Sequence, residues 1–257
     1  MKKIYYTLWH VIIVAVFFIR AYLIQLFTKD PLQRRQRFTR NTTYIGRKLL
    51  NAFNIKLNIN NPERLQWFEH QNYLIIANHV SYLDIIILSS ILNVVYITSV
   101  EMGASPFLGN ITRLGGSLFT NRKKFVSLPK EIENFSKTLS DGFTLVLFPE
   151  GTSTNGEKFR EFRKSLFQIA IKSQIPLFPI CIKYKTVDGK PFSAENRDIV
   201  CWYGDMTFTP HFMKLVTRKI EAEVHLLEPV PVDQTSTRQV LSDLSYNQLW
   251  ECYTRET

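Results

Sequence analysis

The chain has 257 residues, which is enough for one large domain with a full hydrophobic core. Apolar residues make up 45% of the sequence, and this share excludes an intrinsically disordered chain. The net charge of +10, from 32 lysines and arginines against 22 acids, favours an anionic partner such as phospholipid headgroups, nucleic acid or an acidic protein.

The first predicted element is an apolar segment from Ile4 to Phe27 behind Lys2 and Lys3. No small-residue cleavage pattern follows it, so we expect a retained anchor instead of a signal peptide. The many Ile, Leu, Val and Phe residues outweigh the insertion cost of Arg20, which favours a membrane span. Arg20 could equally snorkel from a helix that lies in the interface, and a buried core helix is a third possibility.

A basic segment follows the apolar one. Seven basic residues and the single acid Asp30 lie between Lys29 and Lys48. This excess predicts that the following domain faces the cytoplasm, at the inner membrane if the protein is bacterial. We therefore divide the chain into an N-terminal membrane anchor with a basic amphipathic segment, 1–55, and a single folded domain, 56–257.

The rest of the chain alternates apolar runs of strand length with helical periodicity. The predicted strands are Tyr73–Ala77, Val94–Val100, Phe143–Phe148, Ile175–Tyr184 and Ile220–Leu226. The predicted helices are Tyr82–Leu92, Leu128–Leu139, one marked by Phe159, Phe162, Leu166 and Ile169, and Thr237–Tyr253. Pro176 and Pro179 favour an edge or a strand start for the fourth strand. This order predicts an α/β fold with a largely parallel sheet flanked by helices, preceded by the N-terminal membrane-associated helical segment.

Candidate catalytic residues follow the first predicted strand, in the stretch from Asn78 to Asp84. Residues five apart point about 140° apart on a regular helix, so His79 and Asp84 could not meet if both were mid-helix. They can meet if His79 lies in the loop and Asp84 in the first turn of the helix. The carboxylate would then fix the imidazole tautomer, and the pair could act as a general base. Alternatively, Ser81 and Asp84 form a capping-box pattern that explains the aspartate without catalysis.

A second polar stretch, Phe148-Pro149-Glu150-Gly151-Thr152, follows the third predicted strand. Its backbone N–H groups could face a phosphate or a developing oxyanion. Such residues also make ordinary turns, although turn chemistry does not explain Glu150 well. Because ligand sites of parallel sheets lie beyond the carboxyl ends of strands, we expect the two stretches to share one site.

Together these motifs resemble those of the glycerolipid acyltransferases, typified by 1-acylglycerol-3-phosphate O-acyltransferase. The resemblance rests on Asn78-His79-x4-Asp84, on Phe148–Thr152 about 65 residues later, and on two further blocks. Gly116-Ser117-Leu118-Phe119-Thr120-Asn121-Arg122 is similar to the Gly-x-x-Phe-x-x-Arg element of the family, and Ile175–Ile180 is similar to its proline-containing block.

The resemblance implies that His79 deprotonates the acceptor hydroxyl and that Asp84 orients it. The oxygen would then attack a thioester, with acyl-CoA or acyl-ACP as co-substrate and neither a metal nor another cofactor. By the same resemblance the substrate-binding residues are Arg122, Glu150, Gly151 and Thr152. Arg122 would hold the phosphate of the acceptor, which suits guanidinium geometry.

Two departures from the family pattern bear on the acceptor. The family commonly has arginine after Thr152, where this chain has Ser153, although Lys123 or Lys124 could compensate. In addition, Trp202–Met206 with Pro210–Phe212 is similar to a segment of bacterial lyso-ornithine-lipid acyltransferases. The expected acceptor is 1-acylglycerol-3-phosphate or a related lysophospholipid, and the alternative acceptor is lyso-ornithine lipid.

Other function classes explain less of the sequence. A non-enzymatic protein that grips anionic membranes through Arg34–Arg40 would explain the charge and the apolar segment, but not the four blocks. Nucleic-acid binding is not expected, because the aromatic residues lie in apolar runs. The cysteines Cys181, Cys201 and Cys252 form neither a CxxC pair nor a zinc pattern, so we interpret them as ordinary buried thiols.

Overall fold

A computed structural model describes residues 2–123 and 125–255; Lys124 lies outside the described residues. The α-helices are α1 (Lys2–Phe27), α2 (Pro31–Ala52), α3 (Trp67–His70), α4 (Tyr82–Ile91), α5 (Val100–Ala104), α6 (Leu108–Leu114), α7 (Leu128–Ser140), α8 (Gln168–Ser173), α9 (Arg197–Val200), α10 (Phe208–Leu215) and α11 (Arg238–Thr254). The strands are β1 (Ile55–Asn60), β2 (Leu74–Ala77), β3 (Val94–Ser99), β4 (Leu118–Thr120), β5 (Thr144–Leu147), β6 (Leu177–Val187), β7 (Lys190–Pro191) and β8 (Ile220–Leu226).

The strands form one sheet in the order β1-β8-β6-β2-β5-β3-β4, and β7 pairs with β6. All pairs are parallel except β6–β8 and β6–β7. The predicted α/β class with a largely parallel sheet is therefore confirmed. The five predicted strands occupy β2, β3, β5, β6 and β8.

Hydrophobic layers cover both faces of the sheet, as expected for parallel strands. In β2, Ile75 and Ala77 face the layer that contains Leu83 and Ile87 of α4. The other face of β2 belongs to the layer that α7, α8 and α11 cover. Because both faces of β2 are buried, its end gives the following loop a fixed starting point.

Of the two positions expected for the proline-containing strand β6, the edge is wrong and the strand start is confirmed, because Pro176 directly precedes β6 and Pro179 is its third residue. Strand β6 lies between β2 and β8 in the interior of the sheet. Pro179 fits there because it falls between the Leu177–Val230 bridge and the first β8 pair at Ile180. Its carbonyl accepts the Leu227 N–H at 3.1 Å. The strand pairing thus uses the backbone carbonyl of Pro179, which has no N–H to donate.

The helix predicted from Phe159 to Ile169 was also wrong over its first half. Regular structure begins only with a 3-10 turn at Lys164–Phe167, followed by α8. Hydrogen bonds hold the preceding backbone in the loop shape, because the Arg160 N–H donates to Glu150 and the Arg163 N–H donates to the Pro149 carbonyl. Phe159 and Phe162 are buried against α11. Their helix-like spacing therefore results from this packing and not from a helix.

Helix α1 is long and apolar enough to cross a membrane, with a mean hydropathy of 2.1 over its most apolar window. Only 22% of that window is buried, so the core-helix alternative was wrong. Arg20 is exposed on α1, but its Nε donates to Asn41 Oδ1 of α2 at 2.7 Å, and its guanidinium lies over the Tyr44 ring. The cost of Arg20 is thus partly offset within the α1–α2 pair.

The helical pair is docked on the sheet domain. His10 of α1 packs edge-on against Phe53 and Phe212, and Arg47 of α2 donates to the Ser90 carbonyl at the end of α4. The predicted boundary at residue 55 or 56 coincides with the start of β1 in the sheet. The division into an anchor and a separate domain stays a prediction, since these contacts join the two parts.

Candidate active site

The two polar stretches lie at the same edge of the sheet. His79 follows β2 by two residues, Glu150 follows β5 by three, and these strands are parallel neighbours. Asn78 makes the first turn away from β2. Its side-chain amide donates to the Ile182 carbonyl at 2.9 Å and accepts the Ile182 N–H at 2.8 Å, so it continues the pairing with β6 while the backbone leaves the sheet.

His79 and Asp84 are in direct contact. The His79 Nδ1 atom lies 2.9 Å from Asp84 Oδ2; the imidazole is 17% exposed, whereas the carboxylate is fully buried. Asp84 lies in the first turn of α4 and His79 in the preceding loop, which is the arrangement that the spacing required. The pair can therefore work as a base whose orientation is fixed by the carboxylate.

The capping interpretation of Asp84 also holds. Asp84 Oδ2 accepts the Val80 and Ser81 N–H groups at 2.7 and 2.9 Å, and Ser81 caps α4. Asp84 Oδ1 accepts the Tyr184 hydroxyl at 2.7 Å. Burial, and secondarily the charge of Asp84, raise the pKa of Tyr184, so its hydroxyl stays a donor. One carboxylate thus starts the helix and orients the imidazole.

The loop after β5 fixes both the ring and the backbone of His79. The Phe148 ring stacks on the imidazole with centroids 4.1 Å apart. Glu150 Oε1 accepts the His79 N–H at 2.9 Å, and the His79 carbonyl accepts the Thr154 N–H at 3.0 Å. Asp84 and Phe148 thus hold the imidazole while Glu150 and Thr154 hold the main chain of His79, and Nε2 is the ring nitrogen that remains for a substrate proton.

Glu150 is a buried acid with a structural task. Its second oxygen, Oε2, accepts the Arg160 N–H at 2.9 Å, so both carboxylate oxygens bind backbone N–H groups. Burial raises the pKa of Glu150 to about 7, against the opposing effect of these hydrogen bonds. Glu150 therefore holds the loop around His79, and this geometry does not by itself give it the substrate contact that the resemblance implies.

The Glu150 pKa predicts a pH dependence of stability. A carboxyl whose pKa rises from 4.5 to about 7 on folding lowers the free energy of unfolding as pH rises through that window. At about 1.4 kcal/mol per pH unit, the loss amounts to about 3 kcal/mol. Thermal unfolding in detergent should show that, between pH 5 and pH 8, the free energy of unfolding of the native protein falls by about that amount relative to that of E150Q. An unchanged difference between the two proteins would contradict the buried, proton-binding carboxyl.

Arg122 reaches the second polar stretch. Its Nη1 donates to the Gly151 carbonyl in a short contact. Gly151 has φ = +76°, and a Cβ atom there would lie 2.8 Å from Arg163 Nε, so glycine suits both the conformation and the close approach. Partial burial, followed by the like charge of Arg163, lowers the pKa of Arg122. Two guanidinium groups thus meet beside Gly151, whereas Thr152 is exposed.

A cleft of about 540 Å³ lies beside these arginines. Arg122, Gly151 and Arg163 line its polar side, together with Asn121 and Lys164. Its apolar lining includes Ile97, Leu128, Leu147, Phe148 and Leu166. Phe148 lines the cleft and its ring stacks on His79, so this one residue connects the cleft with the imidazole.

Ser153 stands where the family commonly has arginine, and it turns away from the arginine pair. Its hydroxyl donates to the Trp202 carbonyl in a short contact, and the Trp202 N–H donates to the Val80 carbonyl at 2.8 Å. The Trp202–Met206 segment therefore borders the loop that carries His79. Nearby, His211 Nδ1 lies 3.1 Å from the Tyr82 hydroxyl at the start of α4.

Sequence reasoning missed two residues of this site. Tyr184 lies 100 positions after Asp84 and shows no local motif, although its place near the end of a predicted strand was a usable signal. Arg163 falls in the first half of the predicted Phe159–Ile169 helix, which is irregular in the structure. Lys123, named as a possible replacement for the missing arginine, lies 3.8 Å from Glu101 and is largely exposed. Among residues 2–123 and 125–255, no His, Cys, Asp and Glu group fits a metal ion.

Comparison with known proteins identifies the family of this chain. The family model described as Acyltransferase matches residues 56–183. The 1-acyl-sn-glycerol-3-phosphate acyltransferase of Neisseria meningitidis serogroup B is 31% identical over 201 residues, which cover 77% of this chain and 75% of that protein. The chain belongs to the acyltransferase family.

A second relative within the family is the lyso-ornithine lipid O-acyltransferase of Rhizobium meliloti. It is 32% identical over 179 residues, which cover 66% of this chain. The chain spans about 61% of the length of that relative. The family match contains His79, Asp84, Arg122 and the Glu150 loop.

The fold agrees with family membership. The crystal structure of the 1-acyl-sn-glycerophosphate (LPA) acyltransferase PlsC from Thermotoga maritima superposes with a TM-score of 0.65 and covers 100% of this chain and 98% of that one. At 17% identity this likeness concerns the fold alone. It extends through α1 and α2, which the family model does not include.

Proposed function

We propose that the chain transfers a fatty acyl group from a thioester to the hydroxyl of a lysolipid. The observation that carries this proposal is the contact between His79 and Asp84, in a member of the acyltransferase family. The donor is acyl-CoA or acyl-ACP, which already contains an activated carbonyl. The reaction as proposed uses the side chains of this chain and no further cofactor.

The proposed mechanism follows from the hydrogen bonds of Asp84. An ionised carboxylate only accepts, so His79 Nδ1 carries the proton toward Asp84 and Nε2 is free to accept one. Nε2 removes the proton from the acceptor hydroxyl while the oxygen attacks the thioester carbonyl. The tetrahedral intermediate then breaks its carbon–sulfur bond, and the imidazolium returns the proton to the leaving thiolate. Asp84 stabilises the imidazolium between these steps.

We infer that the Arg122–Arg163 pair holds the anionic group of the acceptor. Two guanidinium groups side by side repel each other, and a bound phosphate or carboxylate removes that repulsion through forked hydrogen bonds. The cleft beside them is lined by Phe148, whose ring stacks on His79. This arrangement positions the head of the lysolipid at the arginines and its hydroxyl at the imidazole.

Replacing Arg163 tests this anion site. We expect R163A to raise KM for the acceptor about 10- to 100-fold with a smaller change in kcat, because a hydrogen bond to a charged group contributes about 1.5–3 kcal/mol. R160A is the matched control, since Arg160 is exposed and contacts Glu150 through its backbone N–H. Steady-state kinetics with varied acceptor measure the effect. An unchanged KM in R163A would show that Arg163 does not bind the acceptor.

The names of the relatives contain two acceptors, and the contact made by Ser153 favours lyso-ornithine lipid over 1-acylglycerol-3-phosphate. Ser153 binds the Trp202 main chain where the family commonly supplies a second phosphate-binding arginine. The same contact brings Trp202–Met206 against the catalytic loop. The remaining Arg122–Arg163 pair suits a carboxylate as well as a phosphate. We propose lyso-ornithine lipid as the preferred acceptor and 1-acylglycerol-3-phosphate as the second candidate.

A parallel assay separates these acceptors. The full chain in mixed micelles is given a labelled acyl thioester with lysophosphatidic acid, lysophosphatidylcholine or lyso-ornithine lipid, and the labelled product is identified by chromatography. A labelled ornithine lipid supports the first candidate, and labelled phosphatidic acid supports the second. Lipid binding with no consumption of thioester in any arm would favour the non-enzymatic membrane-binding alternative.

We further propose that α1 associates with the membrane and that the site works at the cytoplasmic face. The length and hydropathy of α1 support the association. The basic residues of α2 support the orientation through their attraction to anionic headgroups. Protease access to the sheet domain in sealed vesicles of known orientation tests it.

A further inference from the structure

A second cluster of reactive groups lies on the α11 face of the sheet, away from the cleft. Cys181 of β6 and His225 of β8 are register partners in the antiparallel pair, and Lys183 is the partner of Glu223. Partners in a sheet share one face, and alternate residues of a strand share it too. Since α11 covers Cys181 and carries Cys252, all five groups meet between the sheet and this helix.

Contacts inside this thiol cluster are specific. Cys252 packs in the same buried cluster as Cys181, and the strand partner of Cys181 is His225. His225 Nε2 lies 3.1 Å from Glu223 Oε2. Lys183 Nζ donates to the Cys252 carbonyl at 3.2 Å and to the Arg255 carbonyl at 2.7 Å, so it fixes the end of α11 above the strands. The sheet and the helix therefore bring Cys181 and Cys252 into one packed cluster.

The two thiols differ in exposure and in charge. Cys181 is fully buried, whereas Cys252 is half-buried. Interaction with Cys181, followed by that with His225, lowers the pKa of Cys252 to about 5. Burial raises the pKa of Cys181, and burial also raises that of the distant Cys201 to about 12. The interpretation of all three cysteines as ordinary buried thiols is thus wrong for Cys252.

We infer that Cys252 is a peroxide-reactive thiolate and that Cys181 is its resolving thiol, so that oxidation closes a disulfide between α11 and β6. Cys252 attacks one oxygen of hydrogen peroxide, the O–O bond breaks, and hydroxide leaves to form a sulfenic acid. The Cys181 sulfur attacks the sulfenic sulfur, its proton joins the leaving hydroxide, and a disulfide forms. In total, two thiols and one peroxide give one disulfide and two waters.

The disulfide would form one residue away from two contacts of the candidate active site. Ile182, next to Cys181, exchanges both hydrogen bonds with Asn78. Tyr253, next to Cys252, donates its hydroxyl to the Gly156 carbonyl at 2.7 Å, in the loop that follows Glu150. Oxidation at the thiol cluster can therefore alter both supports of the His79 loop.

Disulfide mapping tests the inference without any need for enzyme activity. The reduced protein in detergent is treated with hydrogen peroxide at pH 7, and an unreduced digest is analysed by mass spectrometry. We expect a Cys181–Cys252 peptide, unmodified Cys201, and the same peptide in the control variant C201S. The variant C181S should instead accumulate a sulfenic acid on Cys252 that dimedone traps. Reduced Cys252 under these conditions, or a disulfide that involves Cys201, would overturn the inference.

A second measurement checks the thiolate directly. The titratable groups facing Cys252 are Cys181 and Lys183 of β6 and Glu223 and His225 of β8. We expect alkylation of Cys252 by iodoacetamide to proceed at a nearly constant rate between pH 6.5 and 8.5. An ordinary thiol gains about tenfold per pH unit below its pKa, because the thiolate is the nucleophile. A tenfold rise per unit at Cys252 would overturn the proposal.

Discussion

The variant H79A should lose acyl transfer almost entirely. A positioned general base contributes roughly 10²- to 10⁴-fold to a rate, so we expect kcat to fall by that factor when the Nε2 acceptor is removed. KM for the acceptor should change little, because the anionic group is proposed to bind at Arg122 and Arg163. Initial rates with a labelled acyl thioester and the acceptor identified in the parallel assay measure the loss.

His70 provides the matched control for this prediction. It lies exposed at the end of α3, so H70A should keep full activity. Thermal unfolding should show that H79A remains folded, since the Glu150 and Thr154 contacts of residue 79 use its backbone. A folded H79A protein with native kcat would refute the proposed mechanism.

The variant D84N should retain its fold while losing most of its activity. An asparagine whose amide oxygen replaces Oδ2 still accepts from His79, Val80 and Ser81, and its amide nitrogen can donate to the Tyr184 oxygen. The neutral amide does not stabilise the imidazolium, so we expect kcat to fall roughly 10²- to 10⁴-fold. The same kinetic assay gives this value, and circular dichroism and thermal unfolding report the fold.

Comparison with D84A separates orientation from stability. Alanine leaves the buried Val80 and Ser81 N–H groups without an acceptor, at about 1–3 kcal/mol for each. D84A should therefore unfold at a clearly lower temperature than D84N. D141N is the control, because Asp141 is a carboxylate at the end of α7 that pairs with Lys137. Native kcat in folded D84N would show that Asp84 serves only as a helix cap.

The parts of the fold that were predictable from sequence are those with strong local patterns. β2 and β5 are continuous apolar runs, and α7 repeats apolar residues on one face, so both ends of each element were found nearly correctly. β1 was missed although its residues alternate in polarity, because its partner β8 lies 165 positions later. Its pairing depends on tertiary contact and not on local preference.

The candidate site divides in the same way. The five-residue spacing of His79 and Asp84 was sufficient to predict their contact, because the loop and the first helical turn are local structures. The Tyr184 hydroxyl and the Arg163 guanidinium arrive from β6 and from an irregular loop, which no local spacing encodes. The structural role of Glu150 could not be predicted from sequence either, because its two partners are backbone N–H groups of separate segments.

The Asn78 side chain has a consequence for how the base keeps its position. The Asn78 amide makes the two hydrogen bonds to Ile182 that a strand residue would make through its backbone. The main chain can therefore leave the sheet while the pairing with β6 continues. The departure point is therefore anchored to the most deeply buried part of the molecule and not to the helical hairpin at the N-terminus. The position of the proton acceptor His79 is therefore set by the central strands, which hold it in register with the Asp84 carboxylate.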